Sequence, residues 1–454
     1  LKTIIIQNLN IKKMAKIKKV VPKKPEGTKN EAAHVSSSFD DLLIAAAASG
    51  SSNLETGRFI VTLKEAAGEK GLESLSAQGM RMADARDFKT SAVEMETLGD
   101  ADGLYFNEIG CAVISGAAAK ERSMGVQMEL SSDSAIATIE PEYFAFASGD
   151  SAEFLRGFLR ATEVISKEIG NFGNEEETDE ADALVLGNTW GLVACRVPTS
   201  PRSGAGIKVA VLDTGMFLTH PDFAGRPVVS QSFIGGQPVM DGNGHGTHCI
   251  GTSCGPKTPP GNIQRYGIGW RANIFAGKVL SNSGSGSTAT VLAGMNWAIA
   301  NRCQVISMSL GSQSPIQAAY TAAGQAALNN GCLIIAAAGN AASATGAPAN
   351  SPTIMSVAAL DQALRPANFS NFGKVEIAGP GVGVFSSWPL PQRYNTISGT
   401  SMATPHVAGC AALWAETSPN LRGMNLWRKL TASVRRLPFP LSKVGAGLVQ
   451  APQI

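Results

Sequence analysis

Carboxylates are scarce in the second half of this 454-residue chain. Residues 187–454 hold six, Asp213, Asp222, Asp241, Asp361, Glu376 and Glu416, against 18 Lys and Arg, a net of +12. Hard cations collect several oxygen ligands, usually carboxylates, so this region has little material for a metal centre. Aromatic residues make up only 6% of the chain while 49 glycines are present, a balance that suits a tightly packed α/β core. The seven cysteines (Cys111, Cys195, Cys249, Cys254, Cys303, Cys332 and Cys410) show no Cys-x-x-Cys or Cys/His metal spacing. Their odd number gives no disulfide framework, and most lie in apolar runs, as buried thiols do. The apolar run Leu42–Ala48 is too short to span a membrane. The positive charges are scattered and no nucleic-acid motif accompanies them.

What is present is a set of glycine-framed polar residues. Gly399-Thr400-Ser401-Met402-Ala403-Thr404-Pro405-His406 places one serine at the mouth of an apolar helix expected over 402–416, with Pro405 in its first turn. Gly399 is expected to allow the sharp turn that aims Ser401 outward. The free N–H groups of such a helix favour a negatively charged oxygen beside Ser401, the pairing of nucleophile and donors that acyl transfer needs. Alone, the segment reads equally as a serine-rich loop capping a buried helix. Val209–Gly215 is an apolar run ending in Asp213, which predicts a buried parallel strand with a carboxylate at its C-terminal edge, where open α/β sheets place their sites. Asp241–His248 is a glycine-rich turn that delivers His245 into a following helix. Singly, Asp213 reads as a turn or cap residue, and His248 or His220 as a packed or surface histidine. Jointly, Asp, His and Ser, in that order and each in its own glycine frame, point to a charge-polarised serine nucleophile.

These segments resemble the subtilisin-like (subtilase) serine endopeptidases. The resemblance rests on VAVLDTG around Asp213, NGHGTHCIGT around His245, SMSLGS at 307–312, AAAGN at 336–340 and SGTSMATPHVAG around Ser401, and it covers roughly residues 187–454. It implies a three-layer α/β sandwich around a mainly parallel sheet. It also implies a triad of Asp213, His245 and Ser401, with Asn340 donating to the oxyanion; an Asx-turn role is the plain alternative for Asn340. Of the two neighbouring histidines, the family pattern selects His245 over His248. A polypeptide substrate would lie as an extended strand, with Ser307, Leu310, Gly311, Ala337 and Gly339 around its reacting residue and Gly284 and Gly286 along its edge. Gly346, Ala347 and Ala349 would leave an uncharged pocket suited to a large apolar residue. No cofactor is required. Asp222 matches one calcium ligand of the family and reads otherwise as a turn cap, and the loop 252–266 departs from the family's calcium-binding pattern.

Residues 1–186 hold 30 acids against 20 Lys and Arg, a net of −10, so the acidic front and basic back should attract. Residues 1–57, with eight lysines in the first 24, are expected to form a loose basic segment without a recognisable signal peptide. That favours a cytoplasmic or non-classically exported protein, and Met14 is a candidate natural start. Residues 58–147 alternate strand-like and helix-like patterns and resemble the small α+β inhibitor propeptide of the family, an intramolecular partner of the protease. Strands are expected at 58–64, within 105–115, at 124–130 and at 135–139. Residues 148–186 read as an amphipathic helix at 153–172 followed by the acidic linker 175–182, with processing between Ala147 and Trp190. A self-processing endopeptidase leads. A dedicated maturation protease for one peptide precursor and a catalytically silent binding module are the alternatives.

Overall fold

The computed structural model describes residues 55–64, 69–77, 79–88, 100–121, 135–147 and 187–454. The first of these contain β1 (Glu55–Leu63), α1 (Glu69–Ala77), β2 (Met82–Asp84), β3 (Gly103–Phe106), β4 (Cys111–Ile114), α2 (Gly116–Glu121) and β5 (Ile136–Phe146). Next come α3 (Trp190–Ala194), β6 (Lys208–Asp213), β7 (Val228–Ser232), α4 (His245–Cys254), β8 (Asn273–Lys278), β9 (Ser285–Ser287), α5 (Thr288–Ala300), β10 (Val305–Met308) and α6 (Ala318–Asn329). The chain closes with β11 (Leu333–Ala337), β12 (Met355–Leu360), β13 (Ile377–Pro380), β14 (Val384–Ser387), β15 (Tyr394–Ile397), α7 (Thr400–Thr417), α8 (Gly423–Ala432) and α9 (Leu441–Val444).

Seven strands form one parallel sheet in the order β13-β12-β11-β10-β6-β8-β7. Its central strands are short uninterrupted apolar runs because both faces are covered. The two-residue period of the strands sorts them. Val209, Val211, Leu333, Ile335, Met355 and Val357 join the core beneath α4 and α7. Ala210, Leu212, Ile306, Met308, Ile334 and Ala336 join the core beneath α5 and α6. The three-layer expectation is therefore met. The C-terminal ends of β6, β8 and β10 sit side by side at the point where the strand order reverses, the crevice such sheets use for ligands.

The front segment builds a second sheet in the order β2-β3-β4-β1-β5-β9, whose last strand belongs to the 187–454 region. The separate strand expected at 135–139 is one eleven-residue strand, β5. Pro141, which has no N–H to give a ladder, lies where β5 passes from β1 (Phe59 opposite Pro141) toward β9 (Phe144 opposite Ser287). The strand expected at 124–130, the helix at 153–172 and the acidic linker 175–182 lie outside the described residues.

Two carboxylates of β5 seat this sheet. Glu140 accepts from the backbone N–H groups of Ala318 and Ala319 at the start of α6, at 3.0 and 2.8 Å. Glu142, fully buried, accepts from Ala289 N at the start of α5 at 3.0 Å and pairs with Arg58 at 2.5 Å. Helix N-termini carry unsatisfied donors and partial positive charge, so each contact satisfies groups that would otherwise be orphaned. Among the described residues no helix is long and apolar enough to cross a membrane.

Candidate active site

Asp213 ends β6 fully buried, and its Oδ1 lies 2.7 Å from His245 Nδ1. His245 opens α4 behind Gly244, whose φ of +106° suits glycine; a Cβ there would come within 2.4 Å of the Trp388 ring. The carboxylate fixes the imidazole with its Nδ1–H toward Asp213. Burial opposes protonation of His245 most strongly, but Asp213 and Cys249 together outweigh it, and the pKa stands well above the ordinary imidazole value. His248 points the other way. Its Nε2 lies 2.9 Å from Val384 O, and burial pushes its pKa down to about 3, so it is a neutral packed histidine.

Helix α7 starts at Thr400, two residues earlier than the sequence suggests, which moves Pro405 out of the first turn. In that position Pro405 withholds the N–H that would bond the Ser401 carbonyl. The freed carbonyl accepts instead from Ser309 Oγ at 2.7 Å and from the Cys249 thiol at 3.7 Å. Cys249 Sγ is also 3.9 Å from His245 Nδ1, so one thiol touches both the His245 ring and the Ser401 peptide. Burial raises the Cys249 pKa and keeps it a thiol. Gly399 is extended (φ 161°), a backbone any residue adopts. Its glycine instead leaves room for Asn340, whose Nδ2 would stand 3.3 Å from a Cβ there. Asn340 Oδ1 accepts from Thr400 N and Thr400 Oγ1, both at 2.8 Å, which fixes which way the amide faces.

The end of β5 lies across this site. Phe146 and Gly311 exchange two backbone hydrogen bonds at 3.0 Å, Ala147 N donates to Gly284 O at 2.9 Å, and Ala145 stands opposite Gly286. Ser401 Oγ donates to Ala147 O at 3.1 Å and to Ser309 O at 3.3 Å. Leu310, Gly311, Ala337, Gly339, Asn340, Gly346 and Ala347 line a pocket with Ala147 and Ser401. Two expected lining residues do not line it: Ala349 is fully buried, and Ser307 is fully buried inside β10, opposite Val211 and Ile335. The serine that reaches the site is Ser309, the first residue past the end of β10, where the chain leaves the sheet. The motif SMSLGS contains both serines, and only the strand end separates their roles.

Asp222 does not fit calcium. Its carboxylate accepts from Tyr266 OH at 2.5 Å, from Tyr394 OH at 3.0 Å and from the Arg393 guanidinium at 2.9 Å. The same Arg393 nitrogen donates to Pro260 O at 3.0 Å. A side-chain cation thus bridges carboxylate and loop carbonyl, the pair of ligand types a metal would gather. All seven cysteines are buried free thiols.

A sequence model of the subtilase family matches residues 204–447. The alkaline protease of Alkalihalobacillus alcalophilus is 39% identical over 282 residues, 61% of this chain and 72% of its own length. Subtilisin Savinase of Lederbergia lenta is 40% identical over 268 residues, 58% of this chain and 96% of its own. A cuticle-degrading serine protease of Arthrobotrys oligospora is 37% identical over 298 residues, 61% of this chain and 70% of its own.

Proposed function

The chain belongs to the subtilase family and is a serine endopeptidase, and from that premise we propose that Ser401 is its nucleophile and residues 58–147 its own inhibitory first substrate. His245 takes the Ser401 proton as attack begins and returns it to the leaving amine. Asp213 holds the tautomer and stabilises the imidazolium. The Asn340 side-chain amide and the Ser401 N–H stabilise the oxyanion. Each assignment is supported by position: Asp213 2.7 Å from His245, Asn340 oriented by Thr400, Ser401 at the helix mouth.

The observation that carries the proposal is the Ser401 hydroxyl 3.1 Å from the carbonyl of Ala147. The chain reaches that carbonyl as a strand paired on both sides, with Gly311 and with Gly284, which is how a substrate would be held in extended form. Self-cleavage within two residues of Ala147 follows, and the cut segment stays seated through Glu140 and Glu142 until it is degraded.

Intact mass of freshly purified wild type beside Ser401→Ala tests this. Only the wild type should shorten, losing roughly its first 150 residues, an extent that follows from where β5 ends. Equal shortening of both chains, or none in either, would remove the self-processing reading.

A further inference from the structure

Beneath Asp213 and His245 lies a second pair of opposite charges. Lys278 ends β8, opposite Asp213 in the sheet register, and its side chain is buried. Its ammonium donates to Thr214 O at 2.6 Å and to Asn282 Oδ1 at 2.8 Å. Thr214 N donates to Asp213 Oδ1 at 2.7 Å, and Asn282 Oδ1 also accepts from Gly242 N at 3.1 Å. One ammonium therefore holds both the turn after Asp213 and the turn before His245.

Asp241 is 2% exposed and its two oxygens accept five donors. Thr214 Oγ1, Asn243 N and Gly244 N reach Oδ1 at 2.9, 3.0 and 2.9 Å. Thr247 N and Thr247 Oγ1 reach Oδ2 at 2.8 and 2.6 Å. Asp241 so caps the helix that His245 opens, and Thr214, which accepts from Gly246 N at 2.8 Å, completes the clamp.

We propose that Lys278 and Asp241 are positioning residues that hold Asp213 and His245 together and set the protonation of His245 with opposite signs. This rests on His245 being the general base. The titratable groups facing the cluster among the described residues are Asp213 on β6, Asp241 in the turn, His245, His248 and Cys249 on α4, and Lys278 on β8. His248 and Cys249 are neutral. With His245 neutral the cluster carries one net negative charge, and the imidazolium brings it to zero. Without the Lys278 charge the cluster starts at two negative charges, which favours the imidazolium. Without the Asp241 charge it starts at zero, which disfavours it. Burial lowers the Lys278 pKa to about 8, against the pull of Asp241 and Asp213.

The test is the acid limb of kcat/KM against pH, measured on processed enzyme with an uncharged peptide substrate. Lys278→Met should move that limb up and Asp241→Asn should move it down, each by roughly half to one pH unit. Asn282 is solvent-exposed, so its variants keep the test alive where the buried ones fail to fold. Asn282→Asp adds a negative charge beside the same ammonium and should raise the limb. Asn282→Ala breaks the bridge without altering charge and should lower kcat with the limb unmoved. Limbs that stay fixed, or that shift in the same direction for Lys278→Met and Asp241→Asn, overturn the inference. Ser401→Ala separates the two readings: if it stays active the catalytic assignment fails, whereas if it is dead and the limbs do not move only the charge pair fails.

Discussion

The two regions of this molecule keep their carboxylates for different work. In residues 187–454 the buried carboxylates are consumed internally: Asp213 by His245, Asp222 by two tyrosines and an arginine, Asp241 by donors of its own turn and helix and by Thr214 after β6. In the front segment Glu140 and Glu142 reach across to helix starts that belong to the other region. The sheets differ in the same way. The parallel sheet is closed on both faces by its own helices, whereas the front sheet takes its sixth strand, β9, from the larger region. One region spends its buried carboxylates within itself, and the other spends Glu140 and Glu142 on contacts with its neighbour.

The sharpest break in that comparison is at Asn340. Asn340→Ala should lower kcat of the processed enzyme by roughly 100- to 1000-fold with little change in KM, as the proposed oxyanion role requires. A KM effect without a kcat effect would reassign Asn340 to ground-state binding. Next is Glu142→Gln in full-length Ser401→Ala. Arg58 and the α5 N-terminus lose a buried charge partner worth about 3 kcal/mol, so amide exchange at 285–287 should quicken about a hundredfold. Unchanged protection would mean that Glu142 does not seat β5. Burial pushes the Glu142 pKa up, but the Arg58 charge and the hydrogen bonds from Arg58, Thr56 and Ser287 together hold it below the usual carboxylate range. That share of docking is therefore present above the unfolded-state pKa and is lost as pH falls through the depressed value. The smallest effect is expected where the larger region is most self-contained. Arg393→Met should lower Tm by about 2–4 °C, and chelator should leave the wild-type Tm unchanged. A calcium-dependent rise in Tm that Asp222→Asn abolishes would contradict the arginine-for-metal arrangement.

Much of this was legible in the sequence because the signals were local. The apolar run ending in Asp213 is a strand buried on both faces, and a continuous run says so without knowledge of the partners. Asp213, His245 and Ser401 stood out because each sits in its own glycine frame, whereas Asn340 was singled out only through the family resemblance. What escaped depended on distant atoms. Ser307 and Ser309 differ only by where β10 ends, and the serine that matters is identified by its bond to Ser401 O, 92 residues away. Pro405 looked like a first-turn proline until α7 was seen to begin at Thr400. Asp222 resembled a metal ligand because nothing near it in sequence announces Tyr266, Tyr394 and Arg393. Lys278 gave no local hint, since a lysine at the end of an apolar run reads as a solvent-facing strand terminus.

Strand β9 is three residues long, Ser-Gly-Ser, and β5 occupies one of its sides. Were β5 to depart after the proposed self-cleavage, that side would become a bare row of backbone donors and acceptors. Long apolar edges of this kind recruit other copies of the same chain and seed aggregates. An edge of three small polar residues is too short and too poor in apolar surface to template another sheet, yet long enough to register a passing peptide. The brevity of β9 thus separates hospitality to a visitor from the hazard of self-association, and lengthening it with β-branched residues should cost the freed enzyme its solubility before its activity.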